Sequence, residues 1–497
     1  MHVRSTSSAL LRATSVAVLA ATFAACAEPT QLVAPDVAGP ALDVAVADDA
    51  TGYILTARGK GFAADFADRV AALGGTVIYR HDGVGFAFVH GLSADGAVAL
   101  AARGDVASVD RDESFSVKPM AVTTMELAAA DQIASVANPA GAARYSWQWN
   151  MHAINAKAAW DAGQLGDPSV TVAILDTGID YDAPDLNGQV DLARSVSFIP
   201  ADDAITTAFF PTRNRINDYN GHGTNVATQV SSRAAAVAGV TSMTRLMGVK
   251  VLSGRGSGST GGVLSGILHA ADNGADIANM SLGGGFAKSG AGSLVSLINR
   301  VFNYAKQQGM LIVVAAGNDE LDLDRTGNLM KTYCDATHVV CVSSSGPETA
   351  TAALDNFSYF SNYGSAVDVA APGGNHLPPE AVGTDMIIRS TDGWAWGSGQ
   401  ASWVWSYCAK HSLVYLANGN LALTACSAGN RLTGMVGTSQ AAPHVAGVAA
   451  LLVPKVGKDR PAQLKAALLK AVDDLGDSGK DSYYGRGRIN VAKALGL

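Results

Sequence analysis

Short, continuous apolar runs alternate with segments of helical periodicity from about residue 147 to the end of the chain. The runs are VTVAIL, LMGVKVL, DIANMSL, LIVVAA, HVVCVS and AVDVAA, and helical patterns lie between several of them, as in 260–273 and 294–308. Strands that lack polar alternation are buried on both faces. The pattern therefore predicts an α/β fold with a doubly wound, mostly parallel sheet and helices on both faces. Such sheets carry their chemistry at the carboxyl ends of the strands, so the residues that follow each run are the first candidates for a site.

A different pattern precedes this domain. Residues 51–118 contain the strand candidates YILT, TVIY, GFAFVH and VASVD, with helical segments at 62–73 and 93–102. Ser93 and Asp95 suit the start of a helix. The order β-α-β-β-α-β is typical of a small ferredoxin-like α+β domain. Residues 28–50 and 119–146 lack sustained periodicity, which predicts a linker and a connector and leaves 147–497 as the main domain.

The first 27 residues are typical of an export signal. Arg4 and Arg12 supply positive charge, and 13–25 is an apolar run too short to span a bilayer comfortably. Two cleavages are open, one after Ala27 and one before Cys26, where FAAC is similar to a bacterial lipoprotein box. The second would attach a lipid to Cys26 and anchor the precursor to a membrane. With either cleavage we expect the protein to be secreted, into the extracellular space or the periplasm.

Composition and cysteine count narrow the class of protein. Hydrophobic residues make up 48% and charged residues 16%, which allows a large core, and the net charge of -8 argues against a nucleic-acid binder. An oxidising compartment would pair the four cysteines that follow Cys26, and four thiols allow three pairings. Proximity in sequence favours Cys334 with Cys341 and Cys408 with Cys426, whereas free buried thiols are the alternative. The chain contains no CxxC or Cys/His spacing that indicates zinc.

Four polar residues follow apolar runs or glycine turns. They are Asp176 in DTGID, His222 in GHGTNVATQV, Asn318 after LIVVAA, and Ser439 in GTSQAAPHVAG. Each alone has a plainer explanation, because a strand-end Asp often caps a helix and a Gly-flanked His often belongs to a turn. Together they supply a nucleophile, a base, an orienting carboxylate and an amide donor, which is the set that acyl transfer requires.

The blocks DTGID, GHGT and GTSQAAPHVAG, in this order, resemble the three signature blocks of the subtilisin family of serine endopeptidases, over residues 147–497. The resemblance implies a subtilisin-like fold in which Asp176 orients, His222 is the base, Ser439 attacks and Asn318 holds the oxyanion. It implies no cofactor for the chemistry. It also implies that residues 51–118 are a propeptide that inhibits the enzyme intramolecularly and helps it to fold. Two stretches are implied to form strands that flank a bound peptide: Gly256, Ser257 and Gly258, and Ser281, Leu282, Gly283 and Gly284.

Several positions depart from the family pattern. Asn225 and Thr228 stand where a His and a Gly are common, and Gln440 stands where Met is usual. Asp185 matches a carboxylate of the family's strong calcium site, but the short loop SSRAAAVAG lacks the Asn-type oxygen ligands of that site. A structural calcium ion and a plain surface turn are therefore both open for Asp185.

Residues 375–433 form an insertion relative to the family. It contains Trp394, Trp396, Trp403 and Trp405 beside the Cys408 and Cys426 pair. Indoles this close to the nucleophile would either line a substrate groove or pack on one another in a disulfide-stapled flap.

These features predict a secreted, monomeric serine endopeptidase that hydrolyses polypeptides through an acyl-enzyme. We expect an inactive precursor that cleaves itself between about Val117 and Arg144. A binding protein without chemistry and an esterase are the alternatives. The four intact polar residues disfavour the first. The extended GSG and SLGG stretches disfavour the second, because they suit a peptide that pairs through its main chain.

Overall fold

The central sheet is built from the predicted apolar runs. In the computed structural model its strands, in spatial order, are Val472–Asp473, Arg488–Ile489, Val369–Pro372, Val339–Gly346, Leu311–Ala315, Ile277–Met280, Thr171–Asp176, Arg245–Lys250 and Val196–Ser197. Neighbouring strands are parallel except at the 472–473 end, and the short strand Asn356–Phe357 pairs antiparallel with 339–346. All six predicted runs lie in this sheet, so the prediction of a mostly parallel sheet is confirmed.

The structure describes residues 37–42, 52–117, 121–128, 137–347, 353–375, 387–389, 395–397, 403–416 and 420–497. The predicted export signal, Cys26 and Trp394 lie outside these residues.

Part of the predicted linker and part of the predicted connector each form a strand. Val37–Leu42 of the linker pairs with Leu421–Thr424, and Ala121–Glu126 of the connector pairs with Arg431–Val436. Both segments pair with strands of the insertion or its border, where exposed edges accept any extended backbone.

Helices cover both faces of the central sheet. They are Trp149–Ala153, Ala156–Asp161, Pro200–Phe209, His222–Val230, Thr260–Asp272, Gly292–Gln307, Thr438–Val456, Pro461–Leu468 and Val491–Leu495. Alternate residues of strand 171–176 point into two different cores: Val172 and Ile174 lie in one, and Ala173 and Leu175 in the other. Because successive side chains of a strand point to opposite faces of the sheet, this strand is buried on both faces.

The N-terminal module, residues 52–111, has the predicted order of elements. Its strands are Gly52–Ala57, Thr76–His81, Phe86–His90 and Val106–Arg111, and its helices are Phe66–Ala72 and Ala94–Ala101. The sheet is antiparallel, with the spatial order second, third, first and fourth strand. A ferredoxin-like split β-α-β unit has this arrangement.

Both faces of the module's sheet are apolar, and each has a partner. Leu55 and Val89 pack with the module's own helices, whereas Ile54, Phe86 and Phe88 belong to the core that includes helices 260–272 and 292–307. Alternation along two strands therefore binds the module to the main domain through a continuous apolar contact.

Polar groups complete this contact. Asp112 accepts a hydrogen bond from the Gly261 N–H at 3.0 Å, in the first turn of helix 260–272, where the helix dipole favours a negative charge. Burial raises the pKa of Asp112 to about 6, although hydrogen bonds from Ser259, Gly261 and Thr260 favour the charged form. His81 lies 3.2 Å from Asp272 at the other end of the same helix.

The described part of the insertion and its border is mostly β-structure. Its strands are Ile387–Arg389, Ala395–Gly397, Val404–Tyr407, Leu413–Tyr415, Leu421–Thr424 and Arg431–Val436. Outside the insertion, the short strands Phe286–Ala287 and Leu329–Met330 pair with each other. Trp405 is 1% exposed in the main core, and Trp403 packs beside it. These two indoles therefore serve packing, which favours the flap over the groove. Trp396 lies on the strand 395–397, which pairs with 387–389.

Both cysteine pairs expected from proximity in sequence are bonded. Cys334 joins Cys341 across 7 residues, and Cys408 joins Cys426 across 18 residues. The second bond closes the insertion between its strands 404–407 and 431–436, and in the chain-entropy account a loop of this length stabilises by about 3 kcal/mol.

Candidate active site

Asp176 ends the strand 171–176 in the interior of the central sheet and is fully buried. Its Oδ1 atom accepts a hydrogen bond from the Thr177 N–H at 2.7 Å and lies 2.7 Å from His222 Nδ1. A carboxylate only accepts hydrogen bonds, so Nδ1 of His222 carries the proton and Nε2 is the basic nitrogen of the ring.

His222 begins the helix 222–230 because the two glycines beside it permit an otherwise crowded backbone. Gly221 has φ 99°, a left-handed conformation that favours glycine. A Cβ atom on Gly223 would lie 2.1 Å from the carbonyl oxygen of Gly178. The helix start therefore packs directly on the loop that follows Asp176, and the ring, which is 2% exposed, is held in place.

Asp218 is a supporting residue that the sequence did not reveal. Its Oδ1 atom accepts hydrogen bonds from the Thr177 hydroxyl and from the backbone N–H groups of Asn220 and Gly221, each at 2.9 Å. Its Oδ2 atom accepts from the Thr224 N–H at 2.9 Å and hydroxyl at 2.6 Å. One fully buried carboxylate thus ties the turn before His222 to the loop after Asp176. In sequence it is only an Asp in a polar turn, which is a common feature.

The carboxylates of Asp176 and Asp218 raise the pKa of His222. Burial lowers the pKa of the ring, whereas the charge and hydrogen bond of Asp176 and the charge of Asp218 raise it. The net pKa of His222 lies above its ordinary value. The pair of carboxylates therefore stabilises the imidazolium that a general base becomes when it takes a proton.

Ser439 lies in the first turn of helix 438–456, which packs against helix 222–230. Its hydroxyl donates to the carbonyl of Ser281 at 3.1 Å, and the Ser281 hydroxyl donates to the carbonyl of Ser439 at 2.6 Å. His222 Nε2 is buried and has no hydrogen-bond partner in the described part of the chain. In this conformation the nucleophile candidate and the base are not yet joined by a hydrogen bond.

The carboxamide of Asn318 is oriented by Thr438, a second residue that the sequence did not reveal. The Thr438 N–H and hydroxyl both donate to Asn318 Oδ1, at 2.8 and 2.9 Å. Because both donors bind Oδ1, the NH₂ group of Asn318 is the part of the side chain that can donate to another acceptor. A Cβ atom on Gly437 would lie 3.3 Å from Asn318 Nδ2, so this NH₂ group faces the turn just before Ser439.

The two stretches expected to flank a peptide differ. Residues 257–259 form a strand that pairs antiparallel with 114–116 of the same chain, and the Val117 N–H donates to the Gly256 carbonyl at 2.8 Å. Residues 281–284 follow strand 277–280 as an irregular segment without a strand partner among the described residues. Ser281 uses its polar groups to contact Ser439 instead.

A second pairing involves the strand that leads to Ser439. The strand 431–436 pairs antiparallel with 121–126, so that Val436 is opposite Ala121 and Arg431 is opposite Glu126. Val436 comes three residues before Ser439 in the chain. The polypeptide that leaves Val117 therefore returns at Ala121 beside the segment that leads to the nucleophile candidate.

Two of the departures from the family pattern, Asn225 and Gln440, contact each other, and Asn225 contacts the insertion, whereas the Thr228 hydroxyl donates to the Thr224 carbonyl of its own helix. Gln440 Nε2 donates to Asn225 Oδ1 at 3.2 Å, and Asn225 Nδ2 donates to the Val404 carbonyl at 3.1 Å and to Ser406 Oγ at 3.0 Å. One turn on, Gln229 Nε2 donates to the Trp405 carbonyl at 2.9 Å. The amides of Asn225 and Gln229 thus hold the insertion strand 404–407 against the helix that begins at His222.

The surroundings of Asp185 do not fit a calcium site. Its Oδ1 atom accepts the Ala236 N–H at 2.9 Å and its Oδ2 atom accepts the Val237 N–H at 3.2 Å. Burial raises the pKa of Asp185 to about 7, which favours a neutral carboxyl group. In the described part of the chain no group of three or more His, Cys, Asp or Glu residues is placed to hold a metal ion. The short loop folds back so that its N–H groups occupy both oxygen atoms of Asp185, and the full burial of this residue excludes the plain surface turn.

Comparisons with known proteins agree with this geometry. A model of the subtilase family matches residues 167–487. Thermitase from Thermoactinomyces vulgaris is 30% identical over 354 residues, which cover 70% of this chain and 96% of thermitase. Alkaline elastase YaB from Bacillus sp. (strain YaB) is 31% identical over 70% of this chain and 69% of its own.

Solved structures share the fold. The epidermin leader peptide processing serine protease from Staphylococcus aureus matches with a TM-score of 0.65 at 23% identity, over 90% of this chain and 98% of that chain. Among the described residues, no helix is both long and apolar enough to cross a membrane. Since the family model covers more than half of the chain and thermitase is matched over nearly its whole length, this chain belongs to the subtilase family and is a serine peptidase, a hydrolase of peptide bonds.

Proposed function

We propose that the chain is an exported, monomeric serine endopeptidase in which Asp176, His222 and Ser439 form the catalytic triad. The observation that carries the proposal is the buried 2.7 Å contact between Asp176 Oδ1 and His222 Nδ1, on a helix that packs beside the helix of Ser439. Its substrates are polypeptides, and no feature of the charge or the site suits a nucleic acid. Export and a lipid on Cys26 rest on the sequence of residues 1–27 alone.

The reaction begins when the Ser439 hydroxyl turns from the Ser281 carbonyl to His222 Nε2. Nε2 takes the proton while Oγ attacks the carbonyl carbon of the peptide bond, and Asp176 stabilises the resulting imidazolium. The Asn318 NH₂ group and the Ser439 N–H, at the positive end of helix 438–456, donate to the oxyanion. The imidazolium then gives its proton to the leaving amine. Water, activated by the same His222 nitrogen, hydrolyses the acyl-enzyme and restores the Ser439 hydroxyl.

The N-terminal module is proposed to be an inhibitory propeptide that the enzyme removes from itself. Residues 114–117 lie on strand 257–259 as a peptide would, and 121–126 lie beside the segment that leads to Ser439. Only residues 118–120 connect these two pairings. We therefore propose that the enzyme cleaves one of the peptide bonds between Val117 and Ala121, which is a narrower range than the Val117–Arg144 expected from the sequence.

Ser439→Ala should accumulate as a precursor that retains residues 52–117, because self-cleavage needs the attacking hydroxyl. In a protease-deficient host the wild type should give a mature chain that begins at one of residues 118–121, as read by N-terminal sequencing. A small amount of mature wild type added to Ser439→Ala separates cleavage between molecules from cleavage within one. Normal processing of the variant on its own would contradict self-maturation.

The acid limb of activity should have a midpoint above pH 6.5, because the pKa of His222 is raised and only the neutral ring can take the serine proton. As pH falls through that pKa, kcat/KM should fall about tenfold per pH unit. The profile must be recorded on mature enzyme freed of the module, since Asp112 titrates at about 6 at the interface. A midpoint at or below 6.5 would show that Asp176 and Asp218 do not raise the pKa of His222 as proposed.

Calcium at Asp185 is proposed to be absent, since both carboxyl oxygens already accept N–H groups. We expect the same Tm in excess EDTA and in millimolar calcium. Asp185→Asn, which places an NH₂ group against one of those N–H groups, should lower stability by about 1–3 kcal/mol in both buffers. A calcium-dependent rise in Tm that disappears in Asp185→Asn would restore the metal site.

Peptidase activity should resist mild peroxide, because Gln440 carries no sulfur where a Met is usual. Its Nε2 atom points to Asn225, and the sulfur of Met435 lies 3.9 Å away. Gln440→Met should lose most of its activity in peroxide that spares the wild type, since a sulfoxide is bulkier and more polar than the thioether.

Met435 is the necessary control for this comparison. The double variant Gln440→Met with Met435→Leu should be as sensitive as Gln440→Met alone. If the wild type and Gln440→Met lose activity equally, position 440 does not control oxidation at the site.

A further inference from the structure

The insertion carries a strand that comes from the N-terminal side of the module. Val37–Leu42 pairs antiparallel with Leu421–Thr424. Residues 43–51 and then the module follow this segment, so a cut after Val117 leaves the segment and the module on one fragment. We propose that the edge of strand 421–424 is a second binding site for this fragment, which retains it on the enzyme after the cut and delays the onset of activity. The inference rests on the proposed function, because it takes the fragment as an inhibitory propeptide.

The edge belongs to a different surface from the one that receives the module. The insertion strands pack in a small apolar cluster whose buried members are Ile205, Tyr219, Leu413 and Leu421. The module instead contacts the core that includes helices 260–272 and 292–307, and no described residue belongs to both clusters. A fragment held at two separate surfaces dissociates more slowly than one held at a single surface, because the second contact re-forms at the high local concentration that the first provides.

The edge is supported from within the peptidase domain. Strand 421–424 pairs on its other side with Leu413–Tyr415. The first residue of that neighbouring strand donates its N–H to the Tyr219 carbonyl at 2.8 Å, and the Cys408–Cys426 disulfide closes the segment that contains both strands. Because these contacts do not involve the fragment, we expect the edge to keep its shape when the segment 37–42 leaves.

The segment 37–42 suits a contact that can be released. Its sequence is VAGPAL, and its register is irregular between Val37 and Ala41. Pro40 has no N–H group and is tolerated because the segment is the outermost strand of its sheet. The pairing is therefore short and interrupted, so it delays the departure of the fragment and does not make the attachment permanent. In strand addition the main-chain hydrogen bonds supply the affinity, so the N–H groups of the segment are the groups to remove.

The test changes only the segment, so that every variant matures to an enzyme of the same sequence. Ala41→Pro with Leu42→Pro removes two consecutive N–H groups, of which one should face strand 421–424, because the N–H groups of an antiparallel strand alternate in direction. Ala41→Ser with Leu42→Val keeps both N–H groups and is the matched control. Both double variants are made in the precursor of residues 28–497.

Each precursor is refolded, and the cut after Val117 is followed on a denaturing gel while hydrolysis of a short quenched peptide is recorded. We expect the same rate of cutting in the wild type and both double variants, because the cleaved segment is unchanged. The lag between the cut and full activity should be about tenfold shorter in the double proline variant and unchanged in the control. Gel filtration directly after the cut should show less of the fragment co-eluting with the mature chain in the double proline variant.

Hydrogen exchange tests the pairing without catalysis. In the Ser439→Ala background, peptides that contain 421–424 should exchange faster in the double proline variant than in its control. Peptides that contain 257–259 pair with 114–116 and serve as the internal reference, so they should exchange alike in the two proteins.

Equal lags and equal co-elution in the double proline variant and its control would overturn the second binding site. If the precursors still cut themselves in that case, the proposed maturation survives without it. Equal exchange of 421–424 in the two proteins would also overturn the site, because the segment would then not be held on this edge. A wild-type precursor that is never cut would refute the proposed maturation, and the retention of a fragment would fail with it.

Discussion

The contact on which the site depends is the hydrogen bond between Asp176 and His222 inside the protein. A carboxylate buried at the end of a central strand is costly unless donors surround it. Here the two donors, the His222 ring and the Thr177 N–H, both reach Oδ1, whereas Oδ2 has no hydrogen-bond partner in the described part of the chain. A second buried carboxylate, Asp218, then holds the turn and the helix start that place the ring. The need to satisfy two buried charges therefore accounts for the local path of the chain on both sides of His222.

The same requirement explains how the insertion becomes part of the site. Its strand 404–407 would leave carbonyl groups unpaired against helix 222–230, and Asn225 and Gln229 supply the missing N–H groups. Gln440 completes the contact from the nucleophile helix. Asn225 and Gln440, which look like isolated departures in sequence, thus belong to one polar contact between two helices and a strand. That contact fixes the strand 431–436, which pairs with 404–407 and leads to Ser439.

The N-terminal module and the connector obey a simpler rule. A two-layer α+β module with apolar residues on both faces of its sheet needs a second partner, and helices 260–272 and 292–307 provide it. Once the module is docked, residues 114–116 pair with strand 257–259, and residues 121–126 pair with strand 431–436, which leads to Ser439.

By itself the sequence indicated the class of fold and, through its resemblance to the subtilisin family, the class of enzyme. Continuous apolar runs specified the parallel strands, because only strands covered on both faces lack polar positions. Positions after strands singled out Asp176 and Asn318, and positions beside glycine turns singled out His222 and Ser439. Cysteine spacing indicated both disulfides. These features are local or repeat at a fixed period, so they can be recognised in the sequence without the structure.

Only the tertiary structure decided what depends on meetings between distant segments. Asp218 and Thr438 act through hydrogen bonds to partners placed by folding, and their sequence surroundings are those of any polar turn. The surroundings of Asp185 were also decided by folding, because the short loop brings two N–H groups to its oxygens. Strand 121–126 has little alternation of its own and forms because the edge of 431–436 offers it main-chain partners. Backbone pairing depends on which strand edges remain open after the rest of the chain has folded. The whole chain decides this, so the sequence of six residues cannot predict it.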